Sequence, residues 1–187
     1  MKIIGISASP RRHGNSETLL DHALAGARSN GAETEKIILS VLDIKPCHGS
    51  DACLKKGKCF ARDDMRALLK KLDKADGVII SSPVYFGSIT AQLKAMIDRC
   101  QPLWVEKYIL KKKRRKEKRG AFICVSSYNS NKFFRNSSEI VDVFFKVLDI
   151  NFLYQSYFTG LESKNDGKDN KSYLEKAFRC GKKIAKP

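Results

Sequence analysis

No apolar run in this chain of 187 residues approaches the ~20 residues that a membrane-spanning helix needs. The N-terminal apolar stretch ends at Ser7 and passes straight into a polar loop, so no signal peptide is visible. A cytoplasmic location with no membrane partner is the expectation. There a scaffold of disulfides is not expected, although six cysteines are present. Both standard nucleotide fingerprints, GxGxxG and GxxxxGK[ST], are missing. No internal repeat and no second domain is visible, so residues 1–187 read as one domain with a full core. Acidic residues are few: 20 Asp and Glu against 36 Lys and Arg, a net charge of +16. Half of that excess is local. Residues 107–119 hold nine basic side chains and one acid, and read as a solvated, mobile basic connector. The other half is diffuse; it sets solubility and attracts polyanions weakly.

What is present is an alternation of apolar runs and helical patterns. Lys2 to Ser7 is β-branched without a helical period and reads as a buried strand. The turn formers of 8–16 break it, and a helical pattern opens at Thr18-Leu19-Leu20. Further strands are read at Glu33–Ser40, at Val78-Ile79-Ile80, over 120–125 and over 150–157. Helices are read from Asp63, through Ile89 to Ile97, through Ile140 to Leu148, and from Tyr173 to Ile184. The rhythm predicts an α/β fold: a five-stranded parallel sheet in the order 2-1-3-4-5, helices on both faces. In such sheets the ligand lies outside the carboxyl ends, at the switch between strands 1 and 3. Three polar loops fall there: 8–18, 82–88 and 126–131.

The first of these loops joins a strand to a helix start. Free backbone N–H groups and the positive helix end make it an anion site, with phosphate the expected guest. Ser9, Asn15, Ser16 and Thr18 add hydroxyl and amide groups, and Arg11 adds a planar charged one. An ordinary capped turn has the same composition. His13 lies in this loop and reads as solvated rather than catalytic. The second loop, 83–87, supplies an apolar, aromatic wall; Tyr85 and Phe86 packing as core aromatics is the alternative.

Ser9-Pro10-Arg11 with Gly14-Asn15-Ser16, then Ser82 to Ser88, then Gln92-Leu93-Lys94 and Ile97-Asp98-Arg99, resemble the NADPH-dependent FMN reductase family over roughly residues 1–160. The iron–sulfur flavoproteins and their cluster-free relatives are the branch most resembled. The resemblance implies a flavodoxin-like fold with non-covalent FMN and NADPH or NADH as reductant. It implies that Ser9, Arg11, Asn15, Ser16 and Thr18 hold the FMN phosphate. Pro83, Val84, Tyr85, Phe86 and Gly87 would line the isoalloxazine ring, with Ser126 and Ser127 meeting it from another side. Hydride transfer is the flavin's chemistry, so no catalytic acid–base residue is proposed. Homodimers or homotetramers with active sites near subunit contacts are also implied; Trp104 fits a subunit contact or the flavin.

Cys100, Cys124 and Cys180 read as small core hydrophobes. Cys47, Cys53 and Cys59 fall in a long loop, 43–62. Relatives with a [4Fe–4S] cluster carry C-x2-C-x2-C-x5-C; here the second position is Ser50. A serine alkoxide is a poorer, more basic ligand than a thiolate. The expectation is a loop that keeps the cysteines without a stable four-iron cluster. A three-thiolate site with water, or zinc completed by His48, is the alternative.

The functional expectation is an FMN-dependent NAD(P)H oxidoreductase that passes electrons to a small acceptor or a redox protein. An FMN electron carrier without its own NAD(P)H reaction is the near alternative. A basic nucleic-acid-binding module on this scaffold is the distant one, resting on charge alone.

Overall fold

The computed structural model describes residues 1–112 and 117–186. Its sheet has five strands: β1 (Lys2–Ser7), β2 (Glu33–Ile38), β3 (Gly77–Pro83), β4 (Lys118–Val125) and β5 (Ile150–Phe158). They pair in the order β2-β1-β3-β4-β5, every pair parallel, as expected. The helices are α1 (Asn15–Ser29), α2 (Ala52–Lys56), α3 (Met65–Lys74), α4 (Ala91–Asp98), α5 (Gln101–Trp104), α6 (Phe134–Val147), α7 (Asp166–Asp169) and α8 (Lys171–Ile184).

Alternation along the central strands explains why both faces need cover. Successive strand residues point to opposite sides of a sheet. Ile3, Ile79, Ala121 and Ile123 pack on one side against Leu20 and Leu24 of α1 and Cys180 and Ile184 of α8. Ile4, Ile6, Val78, Ile80 and Phe122 pack on the other against α3, α4 and α6, through Leu72, Met96 and Phe144. The two covering helices of the first side touch backbone to backbone. A Cβ on Gly26 would strike the Phe178 carbonyl, and one on Gly181 the carbonyl of Ala23. Glycine is required at both places by that approach. Cys100, Cys124 and Cys180 are buried, as small hydrophobes should be.

Four local expectations are corrected. Helix α1 opens at Asn15 rather than Thr18, because asparagine and serine suit a first turn that propensity alone would place outside. Strand β2 stops at Ile38, where a 3-10 turn over Leu39–Val41 takes the chain off the sheet edge. The 43–62 loop contains the short α2, too brief for an apolar period to reveal. The basic run is not a free connector at its ends. Its start lies in a π-helical turn, Val105–Ile109, where Lys107 pairs with Asp149 at 2.5 Å. Its end enters β4, where buried Lys118 donates to the carbonyls of Leu72 and Asp73, each at 2.6 Å. Those carbonyls close α3, a helix end that attracts cations. The middle of the run, 113–116, lies outside the described residues.

Candidate functional site

At the carboxyl ends of β1, β3 and β4 the polar loops meet around a cleft of about 150 Å³. Eight of the residues anticipated from sequence line it: Ser9, Arg11, Asn15, Ser16, Pro83, Val84, Tyr85 and Ser127. The position is the switch point of the sheet, where β1 is flanked by β2 on one side and β3 on the other.

The first loop is built to hold its shape without closing on itself. The buried Ser9 hydroxyl accepts from the Arg11 N–H and donates to the Arg11 carbonyl, each at 3.1 Å. Ala8 continues the β1–β3 ladder, its N–H on the Ser81 carbonyl at 2.8 Å. The Ala8 carbonyl takes the Thr90 hydroxyl at 2.7 Å, and Thr90 is the N-cap of α4. The N-cap of helix α1 is Gly14, which offers no side-chain cap. The first-turn N–H groups of an α-helix have no intrahelical partner. The residues of that helix start, Gly14, Asn15 and Ser16, line the cleft together with Arg11. That donor set fits a phosphate monoester.

Glu17, which the sequence reading passed over, fastens this loop. Its carboxylate is 2 % exposed and accepts from the His13 N–H at 2.7 Å, Lys36 Nζ at 3.0 Å and Arg12 Nε at 3.4 Å. Burial pushes the carboxyl up. The His13 N–H, Lys36 and Arg12 together outweigh burial and bring it down to about 2. The signal was available, since an acid at the third helical position often reaches back to an N–H before the helix. The His13 side chain itself is mostly exposed, in keeping with a solvated role.

The second loop is a tight turn. Tyr85 and Ser88 exchange backbone hydrogen bonds at 2.8 and 3.0 Å, and Phe86 and Gly87 both have positive φ, +49° and +78°. Glycine takes that conformation readily; a phenylalanine takes it against steric cost. The Phe86 ring is fully exposed, so no packing explains it. Asn136 Nδ2 donates to the Gly87 carbonyl at 2.9 Å and braces the turn. Tyr85 stands at the cleft, 43 % exposed, rather than in the core.

Four anticipated residues stand outside the lining among the described residues. Thr18 sits one turn inside α1, its N–H on the Gly14 carbonyl at 3.0 Å. Phe86 and Gly87 form the tip of the turn beyond Tyr85. Ser126 is buried; its hydroxyl accepts from the Tyr128 N–H at 3.1 Å and so shapes its loop. Asn15 lines the cleft, but its amide is engaged elsewhere. It donates to the Leu161 and Ser163 carbonyls at 3.4 and 2.8 Å and accepts from the Gly167 N–H at 2.9 Å. This clamp draws in a fourth loop, whose Leu161 and Glu162 complete the cleft. No sequence pattern pointed to that loop.

A second cavity, about 310 Å³, lies within the 43–62 loop. Cys47, Ser50, Cys53 and Cys59 all line it. Gly49, Asp51 and Gly57 have positive φ, +62°, +54° and +64°, and curve the chain around it. Its floor is the end of α4. Arg99, 3 % exposed, pairs bidentately with Asp63, at 2.5 and 2.9 Å, and donates to the Lys45 carbonyl at 2.6 Å. Arg99 Nη2 also lies 3.8 Å from Cys59 Sγ. The guanidinium holds the Asp63 carboxyl below its usual range. Burial, with Cys47 and Cys59 nearby, pushes the Cys53 thiol up. Among the described residues no three His, Cys, Asp or Glu side chains are grouped to hold a single metal ion. Trp104, at the outer end of α5, packs against Tyr108, ring centroids 5.6 Å apart.

Comparison with known proteins places the chain by family and fold. An iron–sulfur flavoprotein of Methanocaldococcus jannaschii is 48 % identical over 103 residues, 55 % of this chain and 53 % of that protein. One of Methanosarcina thermophila is 41 % identical over 113 residues, 60 % of this chain and 59 % of that protein. The chain thus spans about half the length of the curated relatives it matches. Among solved structures, a flavone reductase superposes with a TM-score of 0.76 at 23 % identity, covering 99 % of this chain and 62 % of that one. An NAD(P)H:quinone oxidoreductase from Methanothermobacter marburgensis superposes with a TM-score of 0.74 at 15 % identity, covering 100 % and 97 %. These superpositions establish the flavodoxin-like fold. Residues 1–154 match NADPH-dependent FMN reductase as a family, and the chain belongs to that family.

Proposed function

We propose that this chain binds FMN without a covalent bond in the switch-point cleft and acts as an NAD(P)H-dependent flavin oxidoreductase. One observation carries the reading: an uncapped helix start, Arg11 and an aromatic turn converge on one cleft at the sheet's carboxyl edge. In this reading Ser9, Arg11 and Ser16 hold the phosphate, and Asn15 contributes its backbone N–H while its amide clamps the fourth loop. Pro83, Val84, Tyr85 and Ser127 wall the ring, with Phe86 and Gly87 at its outer edge. Thr18 and Ser126 support those contacts from behind. The cleft is smaller than a whole-ligand pocket, roughly 300 Å³ or more. It suits the phosphate and the start of the ribityl chain, leaving the tricycle against the exposed turn.

Bound FMN supplies the redox centre that accepts a hydride from NADPH or NADH. The chain's own part is to fix the phosphate, set the plane of the ring and shield one face with Tyr85. No side chain need move a proton, and none is assigned. Electrons leave to a small acceptor or a redox protein.

Assembly as a homodimer or homotetramer belongs to the same reading, since Phe86 and Tyr128 beside the cleft are exposed aromatics that a second subunit would cover. So does a cytoplasmic setting; no described helix is long and apolar enough to cross a membrane. Nucleic acid is not the proposed partner, because Lys107 and Lys118 of the basic run are bonded within the fold. A stable four-iron cluster is not part of the reading either, given Ser50.

The test is an absorption spectrum of the purified protein, then NADPH added under argon. Bound flavin that bleaches on mixing is the expected result. Bound flavin that NADPH and NADH leave oxidised would make the chain an electron carrier, and colourless protein that takes up no FMN would overturn the proposal.

A further inference from the structure

We propose that the groove between α3 and α5 binds a small organic acid: an apolar body seated on Leu69 and Leu103, with one anionic group held by Arg66 and Lys70. The inference stands apart from the switch-point cleft and does not depend on flavin binding.

The groove is a cavity of about 480 Å³, against about 150 Å³ for the cleft. A volume of that order takes a whole small ligand. Three segments wall it. Arg66, Leu69, Lys70 and Asp73 recur at spacings of three and four, so one face of α3 turns toward it. Met65, Leu68 and Leu72 of the same helix go to the core. Pro102 and Leu103 of α5, both buried, stand opposite. The third wall begins at Gly57, which has φ +64°; a Cβ there would meet Glu106 Cγ at 2.7 Å, so glycine lets the chain pass this close.

Charge identifies the guest. Four basic and two acidic side chains line the groove, and the acids do not answer the bases. Glu106 is taken by Lys112 at 2.7 Å. Asp73 makes no side-chain ion pair among the described residues. Arg66 and Lys70 stand one helical turn apart, a like-charge spacing that weakens a helix. Neither side chain has a hydrogen bond or ion pair among the described residues. In the wall lies Arg99, 3 % exposed; Asp63 takes its two terminal nitrogens, yet its Nε has no partner. Buried donors left unpaired are rare and call for an explanation. An anionic group in the groove would relieve the like-charge pair and bring negative charge into the cavity that Arg99 walls.

The floor decides against a bare ion. Ala61, Leu69, Pro102 and Leu103 are apolar, and inorganic phosphate gains nothing from them. A ligand with an apolar body covers them and gains by leaving water. The two acids of the lining favour a guest with a single charge over a polyanion.

The experiment titrates the full chain by calorimetry with 2-naphthoate, its neutral counterpart 2-naphthamide, and inorganic phosphate, each with and without saturating FMN. Expected is one site for 2-naphthoate, with an affinity that FMN leaves unchanged. The amide and phosphate should bind more weakly by roughly 10-fold or more. Arg66→Gln combined with Lys70→Gln should weaken 2-naphthoate by roughly 10- to 100-fold. The thermal midpoint should stay where it was, since both side chains are exposed. Lys176→Gln combined with Lys182→Gln, which removes the same charge from α8, should leave the affinity unchanged. No binding of 2-naphthoate would overturn the proposal. So would competition by FMN, equal affinity for the amide or phosphate, or equal weakening by the two double variants. Should the α3 double variant not fold, Lys70→Gln alone decides: a several-fold loss supports the site and no loss overturns it.

Discussion

Arg99 and Asp63 face each other through two parallel hydrogen bonds, at 2.5 and 2.9 Å, with 3 % and 1 % of their side chains exposed. The pair joins the end of α4 to the entry of α3 across 36 positions, and it seats the loop that carries the cysteines. Removing one partner of a buried pair strands the other charge, at a cost of about 3–5 kcal/mol. Asp63→Ala is expected to lose stability of that order in urea or guanidinium unfolding. A loss below about 1 kcal/mol would mean that water reaches the guanidinium.

Glu17 makes stability depend on acid. Its carboxyl sits at about 2 in the fold against an ordinary 4.5. The stabilisation is therefore complete above the ordinary value and is lost as pH falls through about 2. It amounts to something on the order of 3 kcal/mol. Glu17→Gln should be less stable than the native protein near neutral pH, and should lose less on going to about pH 3. Parallel unfolding curves of the two proteins across that range would sink the assignment.

Arg11 is expected to matter for affinity and little for folding, since it is exposed beside the cleft. A charged hydrogen bond contributes about 1.5–3 kcal/mol. Arg11→Ala should weaken FMN binding roughly 10- to 100-fold in a fluorescence titration. Its thermal midpoint without FMN should stay where it was.

Phe86 offers the cleanest separation of fold from function. Its ring touches solvent only, so Phe86→Ala should change unfolding free energy by less than about 0.5 kcal/mol. An aromatic contact to a flavin is worth about 0.5–1.5 kcal/mol, so FMN affinity should drop several-fold. Unchanged affinity would remove Phe86 from the site.

Much of this architecture was legible from residues. The runs Ile3-Ile4, Val78-Ile79-Ile80 and Phe122-Ile123 are central strands because their neighbours on both faces are apolar. The place of the cleft was legible because polar turn formers follow β1 at the switch point of the sheet. What stayed hidden is what depends on long-range contacts. Nothing local tells that the Asn15 amide is spent on Ser163 and Gly167, or that Glu162 arrives from the far end of the chain. The partnership of Arg99 with Asp63 is likewise a tertiary fact. Lys118 misled for the opposite reason: a charge block suggests solvent, and α3 carbonyls bury it.

Helix α4 is capped at one end by Thr90, hydrogen-bonded to the loop of the cleft, and at the other by Arg99, in the wall of the cysteine cavity. Its eight residues make a rod of roughly 12 Å, so the two sites are spaced by a ruler rather than a tether. One residue inserted midway would advance everything beyond it by about 1.5 Å and rotate it by about 100°. The guanidinium would then swing away from the thiols while the end at the cleft kept its place.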